Sequence, residues 1–220
     1  MGLALLFDLD GTLLDSDPIH EAVFADLWRD HGRQLEEGFY QTHVHGRLNA
    51  DIFRAHLPEV ADPEALSAAK EAEFRRRLPR PYPATPGAAA LLDRAAARGW
   101  KVAVVTNAMR PNAEAMLEAT GLRHHFEVLV IGEECPRGKP DPYPYSEAMR
   151  QLGAAPADCI AFEDSPSGVR SAAGAGARVV GIRSSLTDAA LKAAGATLTL
   201  KDFTDPALEP LLDAPTGALA

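Results

Sequence analysis

Leu3-Ala4-Leu5-Leu6-Phe7-Asp8-Leu9-Asp10-Gly11-Thr12 is the stretch that decides the fold of this chain. Its aliphatic start reads as a buried strand, and Gly11 marks the break where the chain turns out of a sheet. Asp8 and Asp10 are two residues apart, so on an extended backbone their side chains leave on the same face. In open α/β sheets, ligands gather at the carboxyl ends of strands, which is where both acids fall. Two carboxylates crowded there repel each other unless a cation holds them or one keeps its proton. The plainer alternative is a strand end turning into an acidic surface loop, which Asp-Gly pairs often mark.

Further along, two kinds of sequence follow. From Pro18 to about Leu78 the pattern is helical and charged. Ile19, Val23, Phe24, Leu27 and Trp28 fall at helix spacing, as do Ile52, Phe53, Leu57 and Leu66, and no convincing strand is present. From Pro86 onward, strand-like runs alternate with helical segments. The runs are Val102–Val105, Val128–Ile131, Ile160–Phe162 and Val179–Ile182. The helical segments start at Pro or Ser and end at Gly: Pro86–Gly99, Pro111–Gly121 and Ser165–Gly174. Such alternation predicts a parallel sheet with right-handed crossovers. Leu3–Phe7 must join that sheet across the intervening block, so the helical block is an insertion. Its stalks are Leu13–Pro18 and the Pro-rich Pro79–Pro83. The expected fold is therefore an α/β core, residues 1–14 and 84–220, with an inserted α-helical cap, residues 15–83, over the strands' carboxyl ends. Asp205–Ala220 reads as a terminal turn or short helix that frays.

Composition narrows the function classes. The chain has 220 residues, 46% of them hydrophobic, and a formal net charge of −9. That length suffices for one sizeable core and a smaller unit. The acid excess speaks against nucleic acid as a partner, since phosphate-backbone binding rests on clustered Lys and Arg. A small anionic substrate stays open, because one local cation can reverse the field inside a cleft. Cys135 and Cys159 are isolated and read as reduced thiols. No signal peptide and no bilayer-spanning apolar stretch is present, so a cytoplasmic protein without membrane contact is expected, with a monomer as the default.

The other strand ends add chemistry. Val105 is followed by Thr106-Asn107, Phe162 by Glu163-Asp164, and Gly138-Lys139-Pro140-Asp141-Pro142 places one Lys in a loop. Singly, each has a structural explanation: a turn start, a helix cap at Ser165, a solvated Lys. Together, Asp8, Asp10, Glu163, Asp164, Thr106, Asn107 and Lys139 bring four carboxylates, a hydroxyl, an amide and an ammonium to one sheet edge. That inventory suits a divalent cation and a phosphoryl group.

In this order, these motifs resemble the haloacid dehalogenase superfamily of phosphohydrolases, over nearly the whole chain. The insertion resembles the C1-type cap of its β-phosphoglucomutase-like branch. Asp15-Ser16-Asp17-Pro18-Ile19-His20 and Phe162-Glu163-Asp164-Ser165-Pro166-Ser167-Gly168-Val169 sharpen the likeness. Val105-Thr106-Asn107-Ala108 and the Lys139 loop are most similar to the sugar-phosphate phosphatases of that branch. The resemblance implies a Rossmann-like core with helices on both faces and a Mg²⁺-dependent phosphatase of small phosphorylated metabolites. Asp8 is then the nucleophile that forms an aspartyl phosphate, and Asp10 the general acid and base. It further implies Mg²⁺ ligands from the Asp8 carboxylate, the Asp10 carbonyl and Asp164, with Glu163 as a ligand or close by. Thr106 and Asn107 then bind phosphate, and Lys139 neutralises charge and pairs with Asp8.

Substrate choice is expected in the cap. His20 lies about one helical turn into it, and His45-Gly46-Arg47-Leu48-Asn49 resembles the family's substrate loop, with Arg47 meeting a second anionic or hydroxylated group. Lys70 could reach the same cleft, although His20 and Lys70 also fit a satisfied core histidine and a solvated helix face. Arg75-Arg76-Arg77 reads as a solvated helix end, and His124-His125 as structural. The rival reading is a β-phosphoglucomutase-type mutase. Against it, His45 stands where that branch carries a Lys, the Arg is displaced to Arg47, and Glu71 replaces an amide beside Lys70. A carbon-attacking dehalogenase leaves Asp10 and Glu163-Asp164 without a purpose, Asp10 speaks against a phosphonate hydrolase, and the intact acids speak against a silent binding protein.

Overall fold

The computed structural model describes residues 2–44 and 48–213. The chain divides into two compact units, Met1–Asp15 with Arg80–Ala220, and Ser16–Pro79. Helices α1 (Asp17–Asp30), α2 (Asn49–His56) and α3 (Pro63–Arg77) belong to the second. The first holds α4 (Ala88–Arg98), α5 (Arg110–Ala119), α6 (Tyr143–Leu152), α7 (Pro166–Gly174), α8 (Asp188–Ala194) and α9 (Glu209–Asp213).

Six strands of the first unit form one sheet: β1 (Ala4–Phe7), β2 (Lys101–Thr106), β3 (Val128–Ile131), β4 (Cys159–Glu163), β5 (Arg178–Ile182) and β6 (Leu198–Leu200). All pairs are parallel, in the order β3-β2-β1-β4-β5-β6. This is the α/β Rossmann-like architecture expected. The order reverses between β1 and β4, the place where such sheets open a crevice for ligands. Register fixes the two strands tightly there, with Phe7 opposite Phe162 and the Asp8 N–H donating to the Phe162 carbonyl at 2.9 Å.

Alternation along the strands divides the core between the sheet's faces. Ala4, Leu6, Ala103, Val105 and Ala161 pack with Tyr145 and Met149 of α6, Val169 of α7 and Leu191 of α8. On the opposite face Phe7 stacks on Phe162 at 5.0 Å, with Phe126 and Phe203 edge-on. Helix α4 packs against β2 through an apolar stripe that includes Leu91, Leu92 and Ala95. Four of the strand runs foreseen become β2 to β5. The short Leu198–Leu200 strand was not foreseen, and neither α6 nor α8 was singled out. Pro206–Asp213 is helical and anchored, with Leu208 and Leu212 buried and Arg94 paired to Glu209 at 2.6 Å. Its continuation, 214–220, lies outside the described residues.

The second unit packs α1, α2 and a turn at Tyr40–Val44 around Phe24, Trp28, Tyr40, Val44, Ile52, Phe53 and Leu57. Pro63 opens α3, with the Asp62 side chain capping Ala65 N at 2.9 Å. Arg77, expected to be solvated, instead bridges Glu73 and Asp26 and ties α3 to α1 at 2.6 Å. Tyr82, in the stretch expected as a stalk, is bonded within the sheet unit, its hydroxyl donating to the Asp15 carbonyl at 2.6 Å.

Candidate active site

The loop after β1 turns on Gly11, whose φ is +75°. Its N–H donates to the Leu14 carbonyl at 2.8 Å, and Leu13 N closes back on Leu9 O at 2.8 Å. Any side chain at Gly11 would collide with Asp164, because a Cβ would stand 2.0 Å from its Oδ2. Glycine here therefore serves both the left-handed turn and the close approach of a carboxylate from the loop after β4.

Asp8, Glu163 and Asp164 come together, each offering one carboxylate oxygen within 4.8 Å of the others, all three buried. Lys139 Nζ bridges Asp8 Oδ1 at 2.6 Å and Glu163 Oε1 at 2.5 Å. Glu163, with no solvent exposure, also accepts from the Tyr145 hydroxyl at 2.8 Å and the Ser165 hydroxyl at 3.2 Å. Ser165 at the same time caps α7 by accepting from Gly168 N at 3.1 Å, so the capping role and the acidic cluster coexist. Ser184 donates to Asp164 Oδ2 at 3.1 Å.

Three buried carboxylates thus surround one ammonium, which is bonded to Asp8 and Glu163, and the titration of Asp8 and Asp164 is displaced. Burial pushes Asp8 up to about 7; Lys139 pulls it down and Glu163 pushes it further up. Asp164 is raised well above the carboxylate range by burial and by its Asp8 and Glu163 neighbours. Lys139 keeps its proton more firmly than usual: burial opposes the charge, but Asp8 and Glu163 outweigh it. An all-oxygen, anionic, buried donor set of this kind fits a hard divalent cation.

Thr106 ends β2, buried, its hydroxyl oxygen accepting from Ala108 N at 3.0 Å and leaving the O–H proton to donate. Asn107, expected to bind phosphate, directly follows β2; its side-chain oxygen accepts from Lys139 N at 3.1 Å and its Nδ2 donates to Lys139 O at 3.2 Å. Asp10 lies half-buried in the turn after β1, bridged to Leu14.

In the helical unit, His20 and Lys70 lie together. Lys70 Nζ meets His20 Nδ1 at 2.6 Å and Glu71 Oε1 at 2.9 Å, and Glu71 also accepts from Asn49 at 2.5 Å. His20 stacks flat on Phe74 at 3.9 Å. Burial lowers His20 to about 3, helped by Lys70 and resisted by Glu71, so the imidazole is neutral. Lys70 is therefore not a solvated helix face. Arg47 and His45 lie outside the described residues. His124 and His125 form part of a short turn and join no metal-binding cluster among the described residues.

Tyr145 and Ser184 were not foreseen. Tyr145 occupies an apolar position of α6, and only the need of a buried hydroxyl for a partner hinted at more. For Ser184, in the segment after β5, local sequence held no signal.

The parallel sheet thus carries an acidic, Lys-bridged cluster at its switch point, a donor set suited to a cation and an anionic group. Residues 3–176 match the haloacid dehalogenase-like hydrolases, and the chain belongs to that family. It is 33% identical over 191 residues to protein CbbY of Rhodobacter capsulatus, covering 80% of this chain and 83% of that protein. With hexitol phosphatase A of Escherichia coli (strain K12) it shares 34% identity over 178 residues, 80% and 81% of the two chains. A crystal structure of a family IA, variant 3 hydrolase from Entamoeba histolytica superposes with a TM-score of 0.86 at 27% identity, covering 97% and 98%. No helix among the described residues is long and apolar enough to cross a membrane.

Proposed function

We propose that the protein is a Mg²⁺-dependent phosphatase of small phosphomonoesters, foremost sugar phosphates. The observation that carries the reading is the buried set Asp8, Glu163 and Asp164 bridged by Lys139 at the sheet's switch point. Relatives named as carbohydrate and hexitol phosphatases support the substrate class.

In this reading Asp8 attacks phosphorus in line. A bond forms from its carboxylate oxygen to phosphorus, the ester P–O bond breaks, and the alcohol leaves with a proton from Asp10. Water then attacks the aspartyl phosphate, Asp10 takes its proton back, and phosphate departs with Asp8 restored. Lys139 holds the Asp8 carboxylate in one orientation and balances phosphoryl charge, while Thr106 donates to a phosphate oxygen. The Asp8 and Asp164 carboxylates and the Asp10 carbonyl would hold Mg²⁺, with Glu163 beside them; the ion supplies charge neutralisation at the phosphoryl oxygens.

The unit Ser16–Pro79 is the proposed cap and selects substrate. Lys70 is matched in charge by Glu71, which leaves it little to give a second phosphate and favours hydrolysis over a bisphosphate-dependent mutase. A neutral His20 whose Nδ1 faces Lys70 carries its proton on Nε2, a donor suited to a hydroxylated carbon chain. Arg47 joins them in this proposal.

The test is phosphate release across a panel of phosphorylated metabolites, for wild type and Asp8→Asn, with Mg²⁺ and with EDTA. Release by wild type with Mg²⁺ only, and a loss of roughly 10⁴-fold or more in Asp8→Asn, is expected. Metal-independent turnover or an active Asp8→Asn would overturn the reading. Glucose 6-phosphate formed from β-glucose 1-phosphate with a bisphosphate primer, in place of free phosphate, would establish the mutase.

A further inference from the structure

We propose that Asn107 is a positioning residue that fixes Lys139 by its main chain. The inference rests on the phosphatase reading above. Lys139 N donates to Asn107 Oδ1 at 3.1 Å, and Asn107 Nδ2 donates to Lys139 O at 3.2 Å. A single primary amide thereby engages both main-chain polar groups of one residue, as a paired strand would. Among the described residues, no main-chain group pairs with either of them. Pro140, next in the chain, has no N–H to contribute to the loop.

The surroundings are built for the amide. A Cβ at Gly132 would stand 2.2 Å from Asn107 Oδ1, and one at Gly138 would stand 3.1 Å from it. Asn107 directly follows β2, so the clamp is mounted on the sheet, while Lys139 sits in a loop with a long, flexible side chain. Its ammonium has to bridge Asp8 and Glu163 at 2.6 and 2.5 Å. Anchoring the main chain sets where that side chain starts, and a shift of about 1 Å at such a group can cost about 100-fold in rate. Asn107 thus serves phosphoryl chemistry through Lys139 and not by touching phosphate with its side chain.

A double-mutant cycle tests this, with p-nitrophenyl phosphate and saturating Mg²⁺. Asn107→Ala is expected to lower kcat by roughly 10- to 100-fold. Asn107→Asp keeps the acceptor for Lys139 N but sets a carboxylate oxygen against the Lys139 carbonyl, so it is expected to lose at least as much as Asn107→Ala. In a Lys139→Ala background, Asn107→Ala changes the rate by less than about twofold. Calorimetric titration with inorganic phosphate closes the same cycle without turnover, and Asn107→Asp replaces Asn107→Ala if the latter does not fold. Losses that multiply in the Lys139→Ala background, as for a direct phosphate donor, overturn the proposal, as does an Asn107→Ala enzyme within twofold of wild type. An inactive wild type instead overturns the phosphatase reading, and this inference with it.

Discussion

Gly168→Ala sets two physical effects against each other with opposite signs. Gly168 lies in the first turn of α7, where alanine is the better helix former by about 1 kcal/mol. Propensity alone therefore predicts a more stable protein. The contact geometry predicts the reverse: a Cβ there would stand 1.8 Å from Glu163 Oε1, 1.9 Å from its Cδ and 2.1 Å from Oε2. A carboxylate on a free side chain would swing away cheaply. Glu163 has nowhere to swing, being fully buried and bonded by Lys139, Tyr145 and Ser165. Displacing it breaks a buried ion pair, at about 3–5 kcal/mol. After the helix gain, the net loss is about 2–4 kcal/mol. In a chain of this size that is roughly 4–16 °C in Tm. Urea and thermal unfolding of the two proteins measure it, and phosphatase turnover should fall alongside because Lys139 loses one of its two anchors. A Gly168→Ala protein as stable as wild type, or more so, would refute the packing account of Glu163.

In EDTA, melting temperature should fall as pH rises from about 4 to 7. Asp8 is raised in the folded state to about 7 from 3.8, so the folded protein binds the extra proton across that window and its stabilisation is lost as the proton leaves. Mg²⁺ competes for the same oxygens, so its stabilising effect should be larger at pH 8 than at pH 5; an equal effect at both would contradict the assignment. Asp10→Asn should slow alkyl phosphates far more than p-nitrophenyl phosphate, whose leaving group needs no proton, and equal losses would remove Asp10 from the acid role. Thr12 carries a fully buried hydroxyl with no hydrogen-bond partner among the described residues, so Thr12→Val should stabilise by about 1 kcal/mol in urea unfolding, and destabilisation would reveal a hidden partner.

The core was legible because aliphatic runs followed by polar residues identify both the strands and their functional ends. Asp8, Glu163 and Asp164 could be drawn to one place from the sequence, since each sits at or next to the carboxyl end of a parallel strand, whereas Lys139 stands in the loop between β3 and α6. What escaped was the support around them. Leu198–Leu200 is three residues long and too short for a periodic signal. The roles of Tyr145, Ser184 and the Asn107 amide depend on partners far away in sequence, with Asn107 reaching across 32 positions to Lys139. Arg77 looked solvated because its partner Asp26 lies on a different helix, and Lys70 for the same reason.

The sheet's order has a consequence for how this polypeptide comes off the ribosome. Ala4 pairs with Lys101 on one side and Cys159 on the other, so the first of these six strands to emerge lies, with β4, at the centre of the finished sheet. Until both flanks have been made, its hydrogen-bonding edges are open. The contiguous helices between Asp17 and Arg77, whose contacts are local, can consolidate in the meantime. Nascent chains arrested before Cys159 would thus expose one raw flank of β1, a natural point for a chaperone to hold on.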